Sequence, residues 1–236
     1  YERPDGSVGI RNYIAVIPSV SCANGVVSAI AREVPGAVPL YHGHGCGRGS
    51  TDLELHSRTL VNLAKNPNIA GVLVVGLGCE VIKAEGMALG ISLSKKPLEH
   101  FYIQNEGGSR KAAAKGVEIV KKMMAEADKI RKKEFPLSAL TLGLECGGSD
   151  ATSGLAANPA LGAFSDLMVA GGARVILAET SELLGAEHIL AERAADPGVA
   201  ERLLRTVAEC ETFLKATGED FLGKQPSPGN VRGGIT

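Results

Sequence analysis

Gly71-Val72-Leu73-Val74-Val75 is an unbroken apolar run, closed by Gly76-Leu77-Gly78-Cys79-Glu80. It is apolar on both faces, as a central strand of a parallel sheet must be, and its glycines end it in a tight turn. The same plan repeats on either side. Tyr13-Ile14-Ala15-Val16-Ile17 reads as a first strand stopped by Pro18, with Ser21 capping a helix over about 22–32. A short second strand over 37–41 ends in His42-Gly43-His44-Gly45-Cys46-Gly47, and a helix over 52–64 follows. Downstream, 81–89 predicts a helix and 101–103 a fourth strand, and Gly107-Gly108 opens a long helix to about residue 131.

The pattern then restarts. Leu140 to Leu144 is a strand ending in Glu145-Cys146-Gly147-Gly148-Ser149-Asp150, and a helix begins near Pro159. Arg174 to Ala178 is another strand, followed by helical stretches over 181–194 and 198–215. Strands alternating with helices predict an α/β fold: three-layer parallel sheets with helices on both faces, in two Rossmann-like halves. The expected boundary separates residues 1–132 from 133–236, with the second half incomplete at its C-terminus. The stretch Gln225-Pro226-Ser227-Pro228-Gly229-Asn230 cannot continue a helix, and Gly233-Gly234-Ile235-Thr236 is an odd natural end. The chain therefore reads as a piece of something longer.

Composition narrows the function. In 236 residues, 25 Lys and Arg oppose 26 Asp and Glu, a net charge of −1, which gives no electrostatic reason to expect nucleic acid or an anionic membrane. No apolar run reaches the roughly 18 residues of a spanning helix, and the first residues do not resemble a signal peptide. Five cysteines are too few for a disulfide scaffold, so a reduced, cytoplasmic chain is expected.

Four of those five, Cys22, Cys46, Cys79 and Cys146, fall just after a strand, where open α/β sheets bind ligands. Their thiolates suit Fe(II), another divalent metal or an iron–sulfur cluster, although no Cys-x-x-Cys pair is present. Cys210 lies in a helical stretch and reads as a small buried hydrophobe. His42 and His44 alternate with glycine and offer a general base or metal ligands. His188 beside Glu187 is a further candidate, whereas His56 and His100 look unremarkable. Arg11 and Asn12 could clamp a carboxylate, and the turns at Ser19-Val20-Ser21 and Gly147 to Asp150 precede helices whose first amides bind anions. Gly76-x-Gly78 alone is too little for a nicotinamide site, so NAD is not expected; PLP is not expected either. No Gly-x-Ser-x-Gly elbow is present.

Together these motifs resemble the altronate/galactarate dehydratase family, which includes the large subunit of sulfolactate sulfo-lyase. The resemblance rests on Arg3-Pro4-Asp5-Gly6, Val8 to Tyr13, His42 to Cys46, Val74 to Glu80 and Cys146 to Asp150. Ala157 to Gly162, Glu179-Thr180, Gly185 to His188 and Pro226 to Asn230 extend it over nearly the whole chain. It implies an iron-activated lyase acting on a sugar acid, with a small β-rich domain or subunit as partner and a homo-oligomeric assembly. Dehydration of a 2,3-dihydroxy acid needs a base for the α-proton and an acid for the leaving hydroxyl. On this reading His44 is the base and His42 or His188 the acid. Cys22, Cys46, Cys79 and Cys146 hold or neighbour the metal, and Arg11, Asn12, Ser149 and Asp150 surround the substrate carboxylate.

Overall fold

In a computed structural model, which describes residues 1–218, 220–222 and 227–234, the apolar run at Gly71 lies at the centre of a four-stranded parallel sheet. The expectations placed on Gln225, Pro226, Ile235 and Thr236 fall outside the described residues. The strands are β1 (Tyr13–Pro18), β2 (Ala37–Pro39), β3 (Ile69–Gly76) and β4 (Leu98–Tyr102), in the order β2-β1-β3-β4. Register pairs Ile14 with Ala37, Val16 with Leu73, and Val75 with Phe101.

Strand period sorts the side chains into two cores. Ile14, Val16, Leu73, Val75 and Phe101 pack against α1 (Asn24–Glu33) and α4 (Ser109–Ala127), through Val27, Ile30, Val120 and Met123. Ala15, Ile17, Val72 and Val74 pack on the opposite face against α2 (Ser50–Ala64) and α3 (Ala84–Ser92), through Leu60, Met87 and Ile91. This unit, Tyr1–Phe135, has the three layers expected.

Several boundaries differ from expectation for identifiable reasons. Ser21 does not cap a helix with its side chain: Ser21–Ala23 form a 3-10 turn, and the Ser21 N–H donates to the His44 carbonyl at 2.8 Å. The helix expected over 81–89 starts at Ala84, whose N–H donates to the Tyr102 hydroxyl at 2.9 Å. β4 begins three residues early because Leu98 already pairs with Val72.

The second unit, Pro136–Thr236, pairs β5 (Thr141–Leu144) with β6 (Arg174–Leu177) in parallel. Its helices are α5 (Asn158–Ala170), α6 (Glu187–Glu192), α7 (Pro197–Ala216) and α8 (Pro228–Arg232). The continuous helix expected over 181–194 is interrupted at Gly185, whose φ is +89°. The Asp196 carboxylate caps α7 by accepting from the Val199 N–H at 3.0 Å. The parallel α/β plan holds here too, but among the described residues only Met168, Ala173 and Val207 are buried. The half-buried Cys210 lies in α7.

Candidate active site

After β1 the chain moves outward to β2 on one side, then returns to place β3 on the other. The topological switch therefore lies between the carboxyl ends of β1 and β3, where doubly wound sheets open a ligand crevice. A buried polar pair ties these two ends together. The Ser19 hydroxyl donates to Glu80 Oε1 at 2.7 Å. Glu80 also accepts from the Leu77 N–H at 3.1 Å and the Gly78 N–H at 2.6 Å. Burial pushes the Glu80 carboxyl up, but the bonds from Gly78, Ser19 and Leu77 outweigh it and hold the group below its ordinary value. The carboxylate folds its own turn back and leaves the neighbouring Cys79 exposed.

The His42–Cys46 loop joins the same edge. The Asn24 side-chain amide donates to the His42 carbonyl at 2.9 Å, while the His44 carbonyl holds Ser21. Gly45 permits this contact: at φ +127° a Cβ there would sit 2.7 Å from Val20 Cα. Cys22, Cys46 and Cys79 are thus all exposed on turns at the carboxyl edge of one sheet.

Hydrogen bonds constrain the imidazoles. His42 Nε2 lies 2.7 Å from the Pro18 carbonyl, and His42 Nδ1 accepts from the His44 N–H at 3.2 Å. The ring is therefore the Nε2–H tautomer with both nitrogens in use. His44 Nδ1 lies 2.9 Å from Arg48 Nη2, which can only donate, so the neutral His44 ring carries its proton on Nε2. In that state Nε2 donates a hydrogen bond and cannot accept a proton, so the base role expected for His44 conflicts with its contact to Arg48.

His56 of α2 completes the cluster, its ring centroid 4.4 Å from that of His42 and 5.6 Å from that of His44. Both its ring nitrogens are shielded without a hydrogen-bond partner among the described residues. Burial, followed by His42, His44 and Arg48, pushes its pKa down.

Arg11 and Asn12 lie elsewhere. They precede β1, at the amino edge of the sheet, opposite the switch. Asn12 is committed to structure: it accepts from Arg3 Nη1 at 2.7 Å and donates to the Ala127 carbonyl at 2.6 Å. The buried Arg3 also holds the Arg11 carbonyl at 2.7 Å and the Pro67 carbonyl at 2.6 Å.

In the second unit, Cys146, Ser149 and Asp150 share the turn after β5, and the Cys146 thiol lies 3.9 Å from the Ser149 hydroxyl. Asp150 accepts from the Thr152 N–H at 2.8 Å, and the Thr152 hydroxyl and amide hold its carboxyl below the ordinary value. His188 is exposed in the first turn of α6 and makes no side-chain hydrogen bond among the described residues. No group of three or more His, Cys, Asp or Glu is gathered to hold a metal ion among the described residues. His42 is fully bonded and His44 Nδ1 is taken by Arg48, so among the described residues neither unit taken alone gathers a ligand set that fits the implied metal.

Two residues of this edge, Glu80 and His56, carried no site role on sequence, and Ser19 figured only in an anion-binding turn. The one signal in the sequence was Glu80 following a glycine-rich strand end and preceding the apolar Val81-Ile82.

Comparison with known proteins bears on the same two units. Residues 1–128 match the model of the D-galactarate dehydratase/altronate hydrolase second domain, and residues 137–236 that of the D-galactarate/altronate dehydratase C-terminal domain. The chain is 33% identical to the (2R)-sulfolactate sulfo-lyase subunit beta of Chromohalobacter salexigens, over 100% of this chain and 60% of that protein. It is 34% identical to the altronate dehydratase of Bacillus subtilis and 34% identical to the galactarate dehydratase (L-threo-forming) of Escherichia coli, in each case over 100% of this chain and 49% of the relative. It thus spans about half the length of the curated relatives it matches. Every motif that points to lyase chemistry lies within these matched segments, and the chain belongs to the D-galactarate/altronate dehydratase family.

Proposed function

We propose that the complete protein is a hydro-lyase that dehydrates a sugar acid of the altronate or galactarate type to a 2-keto-3-deoxy acid. Removing a proton α to a carboxylate places extra negative charge on the resulting enediolate, and a preorganised donor at that oxygen lowers the barrier. The seating of the His42–Cys46 loop at the switch point supports this most directly. Arg48 donates to Nδ1 of the exposed His44, which leaves Nε2–H as the ring's donor, unengaged among the described residues. Arg48 keeps the proton there, so the ring stabilises the oxyanion and is not itself consumed as acid or base. The α-proton passes to a general base. A proton returned from the base side to the β-hydroxyl lets it leave as water, and tautomerisation of the enol gives the keto acid.

His44→Ala in the complete protein should lower turnover of altronate or galactarate about 100-fold, the scale of one lost oxyanion donor. Undiminished turnover removes His44 from the mechanism. Among the described residues the implied Fe(II) finds no ligand set in either unit alone, and anaerobic elemental analysis with a labile-sulfide assay tests for it independently. On the family resemblance we also propose a cytoplasmic homo-oligomer working with a small β-rich domain or subunit. Among the described residues no helix is long and apolar enough to cross a membrane.

A second reading has its own support, because the sulfo-lyase subunit is the relative of which this chain covers 60%. The same α-proton chemistry would then expel sulfite from sulfolactate, and the released product distinguishes the two.

A further inference from the structure

Among the described residues two non-glycine side chains sit at positive φ, Lys95 at +55° and Glu179 at +64°. Lys95 follows the end of α3, where a left-handed residue commonly closes a helix. Glu179 has no such excuse. It follows β6 at a carboxyl strand end, in a conformation that glycine adopts freely and glutamate resists. Its side chain accounts for the position: Oε2 accepts from the Cys146 N–H at 2.8 Å, bridging the end of β6 to the end of β5. That bond extends the ladder one step beyond the Ala178 N–H to Leu144 carbonyl bond at 3.0 Å.

The turn it grips has few other anchors. Nothing packs within 4 Å of where a Cβ would stand on Gly147 or Gly148. Asp150 N–H to Ser153 Oγ at 3.1 Å and Ser153 Oγ to the Gly148 carbonyl at 3.4 Å are internal to the segment, and beyond its end the Ala151 N–H donates to the Gly233 carbonyl at 3.0 Å. Non-glycine residues held in the left-handed region cluster at functional sites.

We propose that Glu179 is a positioning residue, a left-handed latch that sets the Cys146–Asp150 turn in its working shape at the carboxyl edge of β5 and β6. The proposal rests on the sugar-acid lyase reading for its activity readout, and on Cys146 chemistry for a readout independent of it. The carboxylate acts through the bond it accepts and need not touch substrate.

The test uses the complete protein with Glu179→Gly and Glu179→Gln, measuring Tm, turnover and the rate of Cys146 alkylation by iodoacetamide, followed by mass spectrometry. Glycine relieves the backbone but removes the latch. Its Tm should match or exceed wild type, while turnover falls by about tenfold or more through misplacement of the turn, and the Cys146 alkylation rate shifts. Glutamine keeps an oxygen that accepts the Cys146 N–H, so Glu179→Gln should recover turnover and alkylation to within about threefold of wild type. A glycine variant with wild-type turnover and alkylation overturns the latch, and so does a glutamine variant as impaired as glycine. If wild type dehydrates neither sugar acid, the lyase reading fails, while the alkylation arm still decides the latch.

Discussion

The Ser19 hydroxyl donates to the Glu80 carboxylate across 2.7 Å with both residues sealed from solvent, joining the turns after β1 and β3 on either side of the topological switch. Removing the carboxylate strands three donors at once: the Ser19 hydroxyl and the N–H groups of Leu77 and Gly78. Glu80→Ala should therefore destabilise the first unit by about 3 kcal/mol. Ser19→Ala, which leaves the two backbone donors in place, should cost about 1–2 kcal/mol. Urea unfolding of both variants checks the order, and equal losses would contradict it.

Gly45 tests how the histidine loop is seated. Alanine there combines a left-handed φ of +127° with a Cβ 2.7 Å from Val20 Cα. Gly45→Ala should cost about 1–3 kcal/mol and displace His44, lowering turnover more than Tm alone accounts for. A variant with wild-type stability and turnover would show that the loop is not held against Val20.

Arg48 is expected to set the His44 tautomer. In wild type, imidazole nitrogen-15 shifts should report the Nε2–H form, and Arg48→Ala should mix the two tautomers and lower turnover about tenfold. A wild-type ring protonated on Nδ1 would return His44 to the base role.

Lys96 carries a pH dependence. Its buried Nζ donates to the carbonyls of Ala64, Lys65 and Asn66 at 3.3, 2.8 and 2.7 Å, at the C-terminal end of α2. Burial, then the Arg3 charge, lowers its pKa from 10.5 to about 8. Between those values the unfolded chain binds a proton that the folded chain does not, so this group makes stability rise as pH climbs from about 8 towards 10.5. Urea midpoints at the two ends of that window should show the rise, and Lys96→Met should flatten it. An unchanged slope in the variant would assign it to other groups.

The sheet was legible in the sequence because burial leaves a local trace. Gly71 to Val75 is apolar at every position, and β3 follows from that alone. The strand-end cysteines and the His42–Cys46 loop were legible for the same reason, since glycines mark where strands stop. What stayed hidden depends on contacts between distant segments. A glutamate in a turn reads as exposed until Ser19, sixty-one residues away, is seen to bond it. His56 looks ordinary until α2 folds its ring onto His42. Arg11 and Asn12 looked like a carboxylate clamp, but the buried Arg3 holds the Arg11 carbonyl and the Asn12 side chain at the far edge of the sheet. Glu179 stood out only as part of a family motif, and its left-handed conformation stayed hidden because a backbone dihedral is not written in composition.

The most direct test of the central claim is product analysis of the complete protein offered altronate, galactarate and sulfolactate in parallel. The account predicts a 2-keto-3-deoxy acid from at least one of the two sugar acids, with turnover about 100-fold lower in His44→Ala. Sulfite from sulfolactate, with no keto acid from either sugar acid, would contradict it.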